Sequence, residues 1–197
     1  MKFLFDLGGV FFDWDPKYFF ENIFSDSDNL EYFLSSVCND EWNIKQDAGR
    51  TIKDAEEELI PKFPQYKEQI KLYYPNHRRM IKEVFTESID ILSELKEKNY
   101  SSYVLSNWSS ETFVGMTDDY PFLKHFDGLL ISGEVKLVKP NPKIYELAMQ
   151  RFNLELEETV FIDDRLENVQ AAKKLGFKII HLINPKDIRK KINQFLV

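Results

Sequence analysis

Four short segments of this chain hold residues whose chemistry suits a charged ester. Asp6 stands directly after the apolar run Phe3-Leu4-Phe5, Ser106-Asn107 after Val104-Leu105, and Asp163-Asp164 after Phe161-Ile162, while Lys139 lies in the loop after Ile131. Three carboxylates crowded together repel one another and invite a hard, oxygen-loving cation. Mg²⁺ fits, because it takes one or two carboxylates and completes its shell with waters and substrate phosphate. A cation of that kind lets a carboxylate approach a phosphate dianion, so Asp6 can attack phosphorus and form an aspartyl-phosphate. The Ser106 hydroxyl and the N–H groups after it can hold the transferred oxygens, and Lys139 adds a point charge for the same oxygens.

The elements between these groups must bring them together. Phe3–Phe5, Ser101–Leu105, Gly128–Ile131, Thr159–Ile162 and Lys178–His181 read as strands. Helical patterns separate them: one with Ile89, Ile91, Leu92 and Leu95 on a single face, then Pro142–Phe152, then Leu166–Leu175 stopped by Gly176, and a last one from Lys186. Strand and helix in alternation predict a three-layer α/β core with a parallel sheet covered on both faces. In open sheets of that kind ligands bind outside the carboxyl ends of the strands. All four segments would therefore meet in one crevice if Lys139 joins them from the loop after Ile131.

Residues 16 to 80 break the alternation. Lys17–Ile23, Asn29–Val37 and Thr51–Leu59 are helical in pattern, punctuated by Pro61, Pro64 and Pro75. The division expected is an α/β core of residues 1–15 and 86–197, with a small all-helical cap of residues 16–85.

At 197 residues and 43% hydrophobic, the chain can bury one real core with a modest insertion. Its net charge of −7, without a long basic block, removes the electrostatic footprint of a nucleic-acid binder. No stretch reaches the ~20 apolar residues of a membrane span, and Asp6 interrupts the N-terminal apolar run too soon for a secretory signal. Cys38 is the one cysteine, so no internal disulfide forms and a cytoplasmic setting is expected. The partner expected is a small phosphorylated metabolite, with no nucleic acid and no membrane; nothing in the pattern sets an oligomeric state.

Asp6-Leu7-Gly8-Gly9-Val10, Leu105-Ser106-Asn107, Lys139-Pro140-Asn141-Pro142 and Phe161-Ile162-Asp163-Asp164 together resemble the four ordered motifs of the haloacid dehalogenase superfamily. The resemblance runs from Lys2 to about Ile180 and looks closest to bacterial sugar-phosphate phosphatases, such as those acting on α-glucose 1-phosphate. It implies that Asp6 is nucleophile and metal ligand, with the Gly8 carbonyl as a further ligand. It implies that Ser106 and Asn107 bind the transferring phosphoryl group, that Lys139 steadies Asp6 and phosphate, and that Asp163 and Asp164 hold Mg²⁺, Asp164 directly and Asp163 directly or through a water. One position departs. Most phosphatases of the superfamily carry an aspartate two residues after the nucleophile, as the acid that protonates the leaving oxygen; Gly8 stands there instead. Either water or a cap residue supplies the proton, or the leaving group needs little help, as the anomeric oxygen of a sugar 1-phosphate would.

Other polar residues carry less. Asp15 before Pro16 reads as a helix cap, while Asp13 is a candidate for substrate contact. Trp14, Trp42 and Arg50 are expected to line the cap side of the pocket. Lys136 competes with Lys139 and loses on the Lys139-Pro140 match. His77, His125 and His181 have no metal-ligand spacing, and Arg78-Arg79 read as a solvated return from the cap. Two rivals remain: a haloacid dehalogenase attacking carbon without a metal, against which the acidic pair argues, and a degenerate member that binds a phosphorylated ligand or a protein without turnover. A phosphorelay receiver would need its acidic pair after the first strand, and here that pair comes late.

Overall fold

In the computed structural model, which describes residues 1–196, five parallel strands form one sheet in the order β5-β4-β1-β6-β7. They are β1 (Lys2–Phe5), β4 (Ser101–Ser106), β5 (Gly128–Ile131), β6 (Thr159–Asp163) and β7 (Lys178–His181). The two strands between them in sequence, β2 (Phe12–Trp14) and β3 (Ile81–Val84), pair with each other in an antiparallel ribbon. The centre of the main sheet follows from composition. Every residue of β6 is buried, as a strand covered on both faces requires. Alternate residues feed opposite layers. Phe3, Phe5, Val104 and Ile162 pack with Ile91, Leu92 and Leu95 of the Thr86–Glu97 helix on one side. Leu4, Leu105 and Phe161 pack with Ile144, Tyr145 and Ala172 on the other.

Register places the chemistry. Phe5 lies beside Val104 of β4 and Ile162 of β6, and Ser106 lies beside Ile131 of β5. Asp6, Ser106 and Asp163 therefore stand at neighbouring carboxyl ends. Ser106 and Asp163 are the last residues of their strands, one residue further than the sequence pattern suggests.

Between β2 and β3 the chain is helical and carries its own apolar cluster, including Phe20, Phe33, Trp42, Leu59, Ile70 and Tyr73. Thr51 caps the Ile52–Leu59 helix, its hydroxyl accepting from Asp54 N at 3.0 Å. Two elements differ from expectation. Helical structure ends at Met80 and residues 81–84 are a strand, so the 16–85 stretch is not helical to its end. A further helix, Asp40–Asp47, precedes Ile52–Leu59, held by Asn39, whose side chain accepts from Trp42 N at 2.8 Å. Among the described residues, no helix is long and apolar enough to cross a membrane.

Candidate active site

The site begins with Asp6, delivered to the sheet edge by a strand whose last N–H link is Asp6 N to Ile162 O, 2.8 Å. One carboxylate oxygen, Oδ1, is saturated. It accepts from Leu7 N at 2.7 Å and from the Ser106 hydroxyl at 2.7 Å, and lies 3.0 Å from Lys139 Nζ. Among the described residues no hydrogen bond or ion pair engages Oδ2. Three donors on one oxygen fix the orientation of the carboxylate and free the other oxygen to react.

Lys139 is 2% exposed, which an unpaired ammonium does not tolerate. Its second partner is Asp163 Oδ2, at 2.7 Å. Burial pulls its pKa down, but the charges of Asp163 and Asp6 outweigh this and hold it above the usual lysine value. Asn107 sets the backbone there: its Nδ2 donates to Lys139 O at 3.0 Å and its Oδ1 accepts from Lys139 N at 2.8 Å. Both ends of the Asn107 amide are thus occupied in positioning Lys139. Lys136 is exposed and takes no part.

Asp163 and Asp164 divide. Asp163 Oδ1 accepts from Arg165 N at 2.8 Å and Asn168 Nδ2 lies 3.0 and 3.1 Å from its two oxygens, so both are in use. Asp164 lines the cleft beside Asp6 and is placed through its carbonyl, 2.9 Å from His181 Nε2. Burial, then the charge of Asp163, raises the Asp164 carboxyl above its ordinary value. One oxygen each from Asp6, Asp163 and Asp164 lies within 4.8 Å of the others, a donor set of hard oxygens that fits a divalent cation. The Val10, Phe11 and Phe12 N–H groups all turn to Leu7 O, so none of them takes the Gly8 carbonyl at the same edge.

Above this edge lies a cleft of about 420 Å³, the size for a small metabolite. Its far wall comes from the helical segment, with Asp40, Asn43 and Asp47 on one helix and His77 further on. Trp14 lines the cleft as expected; Trp42 and Arg50 do not. Trp42 packs edge-on against Tyr73 in the helical cluster, and Arg50 bonds Gln46 Oε1 at 2.7 Å and pairs with Glu58. Asp13 is outside the cleft, accepting the Tyr18 hydroxyl at 2.9 Å, and Asp15 accepts from Lys17 N at 2.8 Å.

His77 is the residue the sequence conceals. Its ring sits between Trp14 and Trp108, with centroids at 5.4 and 5.3 Å. Burial, aided by the charge of Arg78, pushes it down to about 4, so it is neutral near pH 7. His77 Nδ1, Trp14 Nε1 and Trp108 Nε1 are buried without a hydrogen-bond partner among the described residues. Arg78, read as solvated linker, pairs with Asp119 at 2.5 Å and thereby ties the end of the helical segment to the core.

Residues 4–182 match the haloacid dehalogenase-like hydrolases, and the chain belongs to that family. It is 25% identical to a sesquiterpene phosphatase of Aspergillus oryzae, over 91% of this chain and 88% of the relative. It is 22% identical to a phosphorylated carbohydrates phosphatase of Thermotoga maritima, over 92% and 86%. A magnesium complex of a family enzyme from Bacteroides thetaiotaomicron has the same fold, with a TM-score of 0.72 at 24% identity over 91% of both chains.

Proposed function

We propose that this hydrolase is a Mg²⁺-dependent phosphatase of small phosphorylated metabolites, with sugar phosphates as the class and Asp6 as nucleophile. The observation that carries it is the asymmetry of Asp6, in a cluster with Asp163 and Asp164: Oδ1 is bound by Leu7, Ser106 and Lys139, and Oδ2 is disengaged among the described residues. Asp6, Asp164 and the Gly8 carbonyl would hold Mg²⁺, whose charge lets a carboxylate and a phosphate dianion meet. Asp163, with both oxygens occupied, serves by holding Lys139 and at most reaches the cation through a water.

Asp6 Oδ2 attacks phosphorus, and the ester oxygen leaves. The Lys139 ammonium and the Ser106 hydroxyl neutralise charge on the transferred oxygens, with Asn107 keeping Lys139 in place. Water then attacks the aspartyl-phosphate and frees phosphate. Residues 16–85 act as a cap, opening to admit substrate and closing to exclude bulk water. Trp14 and Trp108 line the cleft, and aromatic carbon of that kind suits the C–H face of a sugar. The Thermotoga relative, named for phosphorylated carbohydrates, supports that class. A cytoplasmic setting suits Cys38, buried and unpaired.

The test is a panel of phosphate esters, with sugar 1-phosphates, sugar 6-phosphates, a prenyl phosphate and a simple alkyl phosphate, assayed with Mg²⁺ and with chelator. Sugar phosphates should lead, chelation should stop turnover, and Asp6→Asn should be silent and show no phosphoryl adduct by mass spectrometry. Dehalogenation of a 2-haloacid that survives chelation would replace this reading with the dehalogenase.

A further inference from the structure

The proposed transfer still lacks a group to protonate the departing oxygen, since Gly8 has no side chain. Candidates are limited to titratable residues of the cleft. Asp6 and Asp164 are assigned to attack and cation, and Lys139 is locked between two carboxylates. Arg165 and Glu167 pair with each other at 2.8 Å on the exposed rim, and Asp40 and Glu41 are exposed. His77 is neutral near pH 7 and holds no proton it gives up readily in that range. Asp47 remains.

Asp47 ends the Asp40–Asp47 helix and lines the cleft from the side opposite the sheet. Its carboxyl faces the Ser109 backbone, on the loop that carries Ser106 and Asn107, and that backbone dipole favours the ionised form. Asn43 Nδ2 lies 3.4 Å from its Oδ2, and among the described residues it makes no ion pair. The helix under it is fixed by Gln46, which donates to Trp42 O at 2.8 Å and to the Tyr74 hydroxyl at 2.5 Å.

We propose that Asp47 is the general acid of this enzyme, supplied from the helical segment in place of the carboxyl that position 8 lacks. The inference rests on the phosphatase reading. As the phosphorus–oxygen ester bond breaks and the Asp6 Oδ2–phosphorus bond forms, the Asp47 proton moves to the leaving oxygen, giving an alcohol. Asp47, now a carboxylate, takes a proton from the water that attacks the aspartyl-phosphate. That step releases hydrogen phosphate and restores both side chains. The environment favours the role. Burial raises the Asp47 carboxyl to about 7, opposed by the Ser109 backbone dipole, and an acid works best when its pKa lies near the working pH. The charges facing it are Asp6 after β1 and Asp40 on its own helix, which raise it, and Arg165 after β6, which lowers it. A cation beside Asp6 lowers it further, and an arriving phosphate dianion raises it again.

The experiment compares wild type, Asp47→Asn and Asp47→Glu on p-nitrophenyl phosphate, whose leaving group needs no acid, and on a sugar 6-phosphate, whose alkoxide does. The readout is kcat/KM, which reports phosphoryl transfer. Asp47→Asn should lose about 10²–10⁴-fold on the 6-phosphate, change little on the aryl ester, and lose the fall in rate on the basic side of the pH profile. Asp47→Glu should recover part of the 6-phosphate activity. An equal loss on both esters, or none on either, overturns the assignment and leaves the phosphatase reading intact. Wild type that cleaves neither ester sinks that reading, and this one with it.

Discussion

Lys139 Nζ and Asp163 Oδ2 lie 2.7 Å apart with both side chains fully buried. The pair sits beneath the reacting edge of the sheet, and its geometry aims the ammonium at Asp6. Such a pair gives little net stability, because desolvating two ions offsets their attraction, but losing one partner strands the other.

Lys139→Met and Asp163→Leu should each destabilise the fold by about 3–5 kcal/mol. The double variant should recover most of that loss while remaining inactive. Urea titration of the four proteins separates the effects. Additive destabilisation in the double variant would show that the two residues do not act as a pair.

The glycines after Asp6 should respond in opposite ways. Gly9 has φ +65°, and a Cβ there would run into the Asp164 carboxylate; a Cβ at Gly8 would meet nothing within 4 Å. Gly9→Ala should therefore weaken Mg²⁺ binding by about 10–100-fold, the scale seen when ligand positioning is disturbed. Stabilisation against heat by added Mg²⁺ reports this without any assay of turnover. Gly8→Asp should fold normally and, in the Asp47→Asn background, restore cleavage of alkyl esters. If it does not, the space beside Asp6 is not a place from which a proton can be delivered.

His77 should make the fold sensitive to acid. Unfolded, its ring takes up a proton near pH 6.5; folded, only near 4. Between these values the unfolded chain binds more protons, so stability is fully present above about 6.5, falls with pH, and is lost below 4. The loss from this residue is about 3 kcal/mol. Asp47, raised to about 7, acts in the opposite sense: its contribution is present at low pH and is lost as pH rises through 7. Comparing His77→Gln with wild type isolates the first effect. The variant's stability should decline less between pH 7 and 4, and parallel declines would refute the assignment.

How far the sequence reveals this architecture depends on range. The central strands β1, β4 and β6 are legible because each carries a buried apolar run, and the residue that follows β1 or closes β4 and β6 is polar where no core demands it. That contrast alone locates Asp6, Ser106 and Asp163-Asp164. The Asp40–Asp47 helix is not legible, since only Trp42 and Gln46 of its residues are buried and no apolar stripe forms. Asn39 ahead of Asp40-Glu41 was its one local signal, an N-cap before first-turn acids. β3 is short, and half of it is exposed; its pairing with β2 joins positions some seventy residues apart. The Trp14–His77–Trp108 stack joins three distant segments, so no local pattern announces it.

The antiparallel ribbon has a further consequence. Phe12 pairs with Val84 and Trp14 with Ile81, so the polypeptide departs from the sheet and comes back through two neighbouring strands. Everything between them is one cassette with its own packed interior, joined at a single doorway. Evolution, or an engineer, can exchange that cassette and change which alcohol is released while the sheet edge that moves phosphorus stays untouched. With a proton donor riding on it, such an exchange would transplant acidity along with selectivity.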